Sequence, residues 1–235
     1  MRAVALTFDD GPGPHTPEVL AVLARYGVRA TFFVVGRHLV THPDLARAVA
    51  QAGHALGNHS YSHPQDIEGC EPRGAFDGLP AAVQSDQLDR TSRLFEDVAG
   101  APPRFFRGPG GEHFGPVTAA LIAARGMALA HWTADTEDWS APGELSPAFQ
   151  ERVVALATAA DRTGTAHPVV LMHDGKASPE PEELVSGFRG NTVAALDRII
   201  GHYLERGYTF TDPAGNRLPP SDRPGRRPHG ASGRS

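Results

Sequence analysis

The stretch AVALTFDDGPGPHTPEVLAVLARYG, residues 3–27, decides the fold, because it sets a strand directly before an amphipathic helix. Its largely apolar start, residues 3–8, is typical of a strand that is covered on both faces. Pro17 then marks a helix start and Gly27 its end. Because a second strand pattern follows at residues 31–35, the segment predicts one unit of a parallel sheet.

The same alternation continues along most of the chain. With helices between them, further strands are predicted at residues 55–58, 105–107, 127–132, 168–172 and 208–210. About seven strands in one domain predict an α/β fold, a distorted (β/α) barrel of parallel strands that takes up residues 1–213. Residues 214–235 are rich in Pro, Gly and Arg, and we expect this tail to be disordered.

Composition bounds the function before any motif is considered. The chain has 235 residues, of which 40% are hydrophobic and 21% charged, as in soluble globular proteins. A net charge of −5 argues against nucleic acid or an anionic membrane surface as the main partner, and no apolar run is long enough to span a membrane. The single cysteine, Cys70, excludes an intramolecular disulfide and a multi-cysteine zinc cluster.

The first residues lead straight into the first strand, without a secretory signal. We therefore expect a cytoplasmic protein, or an extracytoplasmic one if a leader has been removed. The sequence leaves the oligomeric state open.

Ionisable side chains follow five of the predicted strands at the point where each strand ends. In parallel β/α folds the active site lies past the carboxyl ends of the strands. The side chains delivered to this rim are Asp9, Asp10, His59, His63, Arg107, Asp135, Asp138, His173 and Asp174. Such a concentration at one edge predicts a catalytic site.

His59 and His63 are four residues apart, a spacing that brings both rings to one side of a single helical turn. This spacing suits two ligands of one metal ion, although two surface histidines in a polar loop give the same pattern. Asp10 would complete a set of two histidines and a carboxylate, as at catalytic zinc sites. Because consecutive strand residues point in opposite directions, Asp9 and Asp10 are expected to have different roles, unless they only form a polar turn.

Five motifs in a fixed order give the sequence a wider pattern. They are TFDDGP at residues 7–12, HSYSH at 59–63, FRGPGG at 106–111, DTEDW at 135–139 and LMHD at 171–174. Together they resemble the motifs of the polysaccharide deacetylase family, carbohydrate esterase family four, from about residue 3 to residue 213.

The resemblance implies a hydrolase that removes an acetyl group from an N-acetylated sugar by metal-activated water, with an aspartate as base and a histidine as acid. It implies one divalent metal ion, with zinc expected and cobalt or nickel as alternatives. The implied ligands of this ion are Asp10, His59 and His63.

The resemblance also assigns the remaining catalytic residues. Asp9 would be the base, and Arg107 would pair with it. His173 would be the acid, and its partner would be Asp138, with Asp135 as the second candidate. For the substrate, the resemblance implies that the backbone N–H of Gly110 contacts the oxyanion. It also implies that Trp139 and Leu171 form an apolar wall around the acetyl methyl.

This chain departs from the family pattern at two positions, where Gly108 replaces a proline and Gly110 an aromatic residue. The loops at residues 65–80 and 175–190 are also long and lie beside the motifs. We therefore expect a pocket for a small saccharide or sugar-containing metabolite, with cell-wall or chitin-type polymers as the competing substrates. A hydrolase of a non-sugar amide and an inactive carbohydrate-binding relative are the alternatives from other classes.

Overall fold

The computed structural model describes residues 2–66, 72–111, 114–177 and 185–218. Cys70, the middle of both long loops and the tail from residue 219 onward lie outside the described residues. Disorder of the whole tail from residue 214 stays a prediction. Its described part begins with a turn in which Asp212 Oδ1 accepts hydrogen bonds from the N–H groups of Ala214 and Asn216.

Parallel strands form a sheet whose two ends stay apart. In chain order the strands are β1 (Ala3–Gly11), β2 (Thr31–Val34), β3 (Ala55–Asn58), β4 (Phe105–Phe106), β5 (Ala128–Leu129), β6 (Ala134–Asp135), β7 (Val169–His173) and β8 (Thr209–Phe210). Their order across the sheet is β5-β4-β3-β2-β1-β7-β6, and β8 pairs with the first residues of β1. In the described part of the chain β5 and β6, the two ends of this order, are not paired. The seven strands from β5 to β6 therefore curl into a half-barrel. The predicted distorted barrel is confirmed.

Helices connect the strands and pack against the sheet. In chain order they are α1 (Thr16–Tyr26), α2 (Gly36–Thr41), α3 (Pro43–Gln51), α4 (Ala81–Ala99), α5 (Pro116–Ala123), α6 (Pro147–Ala157), α7 (Ala159–Arg162) and α8 (Gly190–Glu205). Short 3₁₀ turns lie at Phe76–Gly78, Pro109–Gly111 and Asp138–Ser140, and the last two carry residues of the predicted site. Within the described ranges, every helix is too short or too polar to cross a membrane.

The two faces of β1 meet different surroundings. Val4 and Phe8 face the main hydrophobic core, which they share with α1, α6 and α8. Thr7 and Asp9 alternate with them and point into the half-barrel, where Arg107 Nη1 donates to both at 2.7 and 2.8 Å. The central strand therefore supplies the core on one side and begins the polar site on the other.

The predicted strand at residues 127–132 is wrong in its extent. β5 holds only two of these residues and pairs with β4 at one end of the sheet. A separate strand, β6, pairs with β7 at the other end. The chain between them crosses this opening, and Arg107 binds carbonyl groups there. Its Nε donates to Ala130 O at 3.0 Å and its Nη2 to His131 O at 3.4 Å. The split follows from pairing between distant segments, which a local pattern does not show.

Candidate active site

The carboxyl ends of the strands surround a cavity of about 360 Å³. The last residues of β1, β6 and β7 contribute to it, together with the segments that follow β3, β4, β5, β6 and β7, as the parallel arrangement predicts. Its lining consists of Asp9, Asp10, His59, His63, Gln65, Gly108, Gly110, Gly111, Trp132, Asp135, Trp139, Leu171, His173 and Val185. Two further predicted residues, Arg107 and Asp138, are buried and contact members of this lining.

Asp9 and Asp10 both face the cavity, so the expectation that they point in opposite directions is wrong. Asp10 has a positive φ of 67°, and the register between β1 and β2 shifts between Asp9 and Gly11. This bulge turns the Asp10 side chain to the same side as Asp9. Asp9 Oδ2 lies 3.7 Å and Asp10 Oδ1 lies 3.4 Å from the same atom, His59 Nε2.

The two histidines are brought together by a turn that is not helical, contrary to the expectation of a single helical turn. Ser60 and His63 have positive φ angles of 64° and 53°. Two hydrogen bonds stabilise this turn: Asn58 Oδ1 accepts from the Ser60 N–H at 2.8 Å, and Ser60 Oγ accepts from the His63 N–H at 3.0 Å. The ring centroids of His59 and His63 consequently lie 4.9 Å apart.

Asp10, His59 and His63 form a buried cluster that could hold a metal ion. Asp10 Oδ1 lies 3.4 Å from His59 Nε2 and 3.3 Å from His63 Nε2, and it has no hydrogen-bond partner among the described residues. Ligand atoms about 2.0–2.1 Å from a tetrahedral zinc ion lie about 3.3 Å from one another. The three atoms therefore fit a small divalent ion, although two imidazoles and a carboxylate do not fix its identity.

Further contacts orient the two rings. His59 Nδ1 lies 2.8 Å from the Arg107 carbonyl oxygen, and His63 Nδ1 lies 2.8 Å from the side-chain amide of Gln65. A proton on His59 Nδ1 leaves a lone pair on Nε2 facing Asp10, which is the tautomer that a metal ligand needs. Burial also lowers the pKa of His63 to about 4, so this ring is neutral at pH 7.

The electrostatics of the cluster favour a cation. Burial alone would raise the pKa of Asp10, but the neighbouring His63 and His59 rings hold it well below its ordinary value. Burial alone would lower the pKa of His59, but the carboxylates of Asp9 and Asp10 raise it. Two carboxylates thus attract positive charge to the point where the imidazole nitrogens converge.

Asp9 is paired with a buried arginine. Arg107 Nη1 donates to Asp9 Oδ1 at 2.8 Å, and the two side chains are 1% and 4% exposed. The guanidinium also donates to Thr7 Oγ1 and Ala130 O, and it lies 4.1 Å from the centre of the Phe33 ring. These contacts place a fixed positive charge at one oxygen of Asp9 and leave the other oxygen, Oδ2, near the metal cluster.

His173, on the neighbouring strand β7, is paired with a buried carboxylate. Asp138 Oδ1 lies 2.7 Å from His173 Nδ1, and Asp138 Oδ2 accepts hydrogen bonds from the His173 N–H at 2.9 Å and from Thr192 Oγ1 at 2.6 Å. Burial alone would lower the pKa of His173, but the charge and hydrogen bond of Asp138 raise it to about 9. Asp135 lies at the cavity instead, and its Oδ1 accepts from the Glu137 N–H.

The glycine turn after β4 accounts for one of the two departures noted above. A Cβ atom at Gly108 would lie 2.1 Å from the Phe114 ring, so this ring takes the space of a side chain there. At Gly110, with a φ of 65°, no described atom lies within 4 Å of the Cβ position, so the described residues do not fill the space where a side chain would begin. Gly110, Trp139 and Leu171, the three expected substrate contacts, all line the cavity.

Several residues of the site escape the sequence patterns. Trp132 falls inside a predicted strand, yet the structure places it in the lining. Thr192, which binds Asp138, belongs to α8 and carries no local signal of this contact. Gln65 and Val185 line the cavity from the two long loops, which the sequence identifies as rim segments without indicating which side chain reaches the site.

Comparison with known proteins gives relatives of two kinds and one family model. The model of the family described as polysaccharide deacetylase matches residues 1–129. A chitooligosaccharide deacetylase of Bradyrhizobium sp. (strain ANU 289) is 37% identical over 209 residues, which cover 88% of this chain and 87% of the relative. A peptidoglycan-N-acetylglucosamine deacetylase of Bacillus cereus is 33% identical over 211 residues, which cover 89% of this chain and 85% of the relative.

A solved structure gives the same result for the fold. The family 4 carbohydrate esterase from Streptomyces lividans in complex with acetate matches with a TM-score of 0.72 at 29% identity, covering 94% of this chain and 98% of the esterase. The resemblance inferred from the five motifs is thereby confirmed. With a buried Asp-His-His cluster at the carboxyl ends of its strands, the chain belongs to the polysaccharide deacetylase family, carbohydrate esterase family four, and is a metal-dependent deacetylase, a hydrolase of non-peptide C–N bonds.

Proposed function

We propose that this chain removes the acetyl group from N-acetylglucosamine units and prefers short soluble oligosaccharides to long polymers. One observation carries the proposal: the metal-binding cluster, an arginine-paired aspartate and a carboxylate-paired histidine all meet at a single cavity. The Bradyrhizobium relative is named a chitooligosaccharide deacetylase, and this chain matches 87% of its length. That likeness supports a glucosamine-type sugar as the substrate.

The residues around the cavity divide the reaction between them. A divalent ion held by the cluster supplies Lewis acidity when bound, which polarises a carbonyl group and makes water more acidic. We assign Asp9 Oδ2 as the acceptor of a proton from the attacking water, while Arg107 holds Oδ1. We assign His173 Nε2 as the donor of a proton to the amide nitrogen, while Asp138 holds Nδ1.

The proposed step balances in atoms and protons. The water oxygen bonds to the acetyl carbon, the C–N bond breaks, and the sugar nitrogen leaves as an amine with the proton from His173. The proton taken up by Asp9 is returned to His173 through solvent, which resets both groups. The Gly110 N–H would stabilise negative charge on the carbonyl oxygen, and the side chains of Trp139 and Leu171 suit the acetyl methyl.

Loop residues support the preference for short substrates. Gln65 and Val185, one from each long loop, line the cavity. The described part of each loop therefore reaches the cavity, and we expect the loops to limit how far a long glycan chain can extend past the reacting sugar. An open groove with several sugar subsites would instead favour polymers.

An acetate-release assay tests this proposal. Its substrates are N-acetylglucosamine oligomers of increasing length, with chitin and peptidoglycan as the polymers, and a reaction with chelator is the control. We expect release that the chelator abolishes, and a kcat/KM that is higher for the mono- and disaccharide than for the polymers. A steady rise of kcat/KM with oligomer length would contradict the pocket. Release only from a non-sugar acetamide would identify a different amide hydrolase, and sugar binding without release an inactive relative.

A further inference from the structure

Both tryptophans of the chain, Trp132 and Trp139, line the active-site cavity. Trp139 belongs to the fourth motif, whereas Trp132 lies in the segment that crosses the opening of the half-barrel between β5 and β6. Trp132 is half-buried and takes no part in the chemistry proposed above. A large aromatic side chain fixed in a cavity wall is a common binding surface for a ligand, so Trp132 is a candidate contact for the substrate.

Trp132 rests on the glycine turn after β4. A Cβ atom at Gly111 would lie 2.0 Å from Trp132 Cη2 and 2.6 Å from Cζ2, so the edge of the indole lies directly against the Gly111 backbone. Arg107 lies 5.5 Å from the ring centre and also binds the carbonyl groups of Ala130 and His131, just before Trp132. The indole is thus positioned by its contact with Gly111 and by the hydrogen bonds that hold the two residues before it.

Next to this turn the cavity has room for a ring. No described atom lies within 4 Å of the Cβ position of Gly110, the residue before Gly111. The volume of the cavity, about 360 Å³, is within the range of pockets for small ligands. Gly110, Trp132 and the reacting residues Asp9 and His173 all line this one cavity, so a ligand over Gly110 shares it with both.

We infer that Trp132 is a specificity-determining residue whose indole face stacks on the apolar face of a pyranose ring over Gly110. The inference rests on the proposed function, because the acetyl group of that sugar must reach the wall formed by Trp139 and Leu171. The C–H bonds on one face of a pyranose are weakly positive, and an aromatic ring carries negative charge on its face, so the two attract. Trp132 contacts the sugar, while Trp139 and Leu171 contact the acetyl methyl.

Two substrates separate these contacts: the disaccharide N,N′-diacetylchitobiose, and 4-nitrophenyl acetate, which has an acetyl group but no sugar ring. In the zinc-loaded enzyme, Trp132→Ala should lower kcat/KM for the disaccharide about tenfold, chiefly through KM. It should change kcat/KM for the ester by less than about twofold. Trp132→Phe keeps an aromatic face and should restore most of the loss. An equal fall for both substrates would make Trp132 a structural residue, and an unchanged value for the disaccharide would remove it from recognition.

Intrinsic fluorescence gives a second readout that needs no turnover. Because the chain has two tryptophans, Trp139→Phe leaves Trp132 as its sole indole. Chitobiose, the fully deacetylated disaccharide, should shift the emission of this variant, whereas acetate alone should not. Unchanged emission at chitobiose concentrations that inhibit the wild-type enzyme would contradict stacking.

Failure of the inference and failure of the proposed function give different results. If the wild type releases acetate from the disaccharide and Trp132→Ala does so equally well, stacking fails and deacetylation stands. If the wild type releases acetate from no sugar while chitobiose still shifts Trp132 emission, deacetylation fails and stacking stands.

Discussion

The cavity has a base side, Asp9 with Arg107, and an acid side, His173 with Asp138. The two sides have the same arrangement but opposite charges: the base-side partner is a cation and the acid-side partner is an anion. Asp9 and His173 lie level with each other on the adjacent strands β1 and β7. Each is held by one buried partner, at 2.8 and 2.7 Å respectively. On the acid side, the charge of Asp138 favours the protonated form of the imidazole. On the base side, Arg107 holds Oδ1 of Asp9, so the other oxygen, Oδ2, faces the metal cluster.

The two sides differ in what else holds the partner. Arg107 also binds carbonyl groups in the segment between β5 and β6, so the base side is tied to the position of that segment. Asp138 is held by Thr192, at the start of α8, and by the His173 N–H. Loss of the partner should therefore reduce stability on the base side and change the pH profile on the acid side.

Removing the metal-binding cluster, which serves both the base side and the acid side, should have the largest effect on activity. Asp10→Ala should lose the bound metal ion and reduce acetate release to background, because it removes the carboxylate of the cluster. Metal analysis and an acetate assay measure both quantities, and Asp44→Ala, which changes a carboxylate with 94% exposure, is the matched control. Full activity in protein shown to contain no metal would contradict the role of the cluster.

Removing the base alone should affect activity without affecting the metal. Asp9→Asn keeps the shape of the side chain but cannot accept the proton from water, so we expect kcat to fall about 1,000-fold. Metal content should stay near one ion per chain, as measured on the same preparation. A variant that is both inactive and metal-free would make Asp9 a ligand instead of a base.

Removing the partner on the base side should affect folding. Arg107→Met leaves Asp9 as a buried carboxylate without its cation, which should lower the free energy of unfolding by about 3–5 kcal/mol. Urea unfolding of the metal-free protein measures this. The matched control is Arg125→Met, which breaks a pair whose Asp89 is 42% exposed and should change stability by less than about 1 kcal/mol. Equal effects of the two variants would show that burial of the Arg107 pair adds nothing.

Removing the partner on the acid side should move the pH profile. His173 acts while protonated, so activity falls as pH rises through its pKa, which Asp138 raises to about 9. Asp138→Asn lowers that pKa, so the alkaline limb should move to lower pH and kcat should fall about 100-fold, with metal content unchanged.

Two controls sharpen the assignment of the acid-side partner. Thr192→Val removes one hydrogen bond to the same carboxylate but keeps its charge, so it should move the limb far less than Asp138→Asn does. Asp135→Asn should leave the limb where it is. A limb that moves in Asp135→Asn and not in Asp138→Asn would reassign the partner, and no movement in either would exclude His173 as the titrating acid.

Strand pattern and motif spacing predict most of the site because they depend on local order. The strand at Ala55–Asn58 is predicted with the bounds it has in the structure, which places His59 at its carboxyl end. The bulge at Asp10 is not predictable in this way. It forms where a distant segment packs closely: a Cβ atom at Gly175 would lie 2.2 Å from the Asp10 carbonyl oxygen.

The contributions of Trp132 and Thr192 are hidden for a related reason. The position of each depends on contacts with a distant segment. Trp132 lies between β5 and β6, which pair with β4 and β7, and Thr192 reaches Asp138 because α8 packs beside it. Hydrophobic periodicity reports which face of an element is buried, but not which buried polar group it meets.

The central strand comes first in the chain, but two of its three partners come last. β1 pairs with β2, β7 and β8, and Thr7 Oγ1 donates to Val170 O, 163 residues further along the sequence. Such contacts stabilise the chain only after a long loop has closed, which slows folding. During synthesis, one apolar edge of β1 therefore stays unpaired until β7 and β8 have left the ribosome, and in this interval the nascent chain is most prone to aggregate.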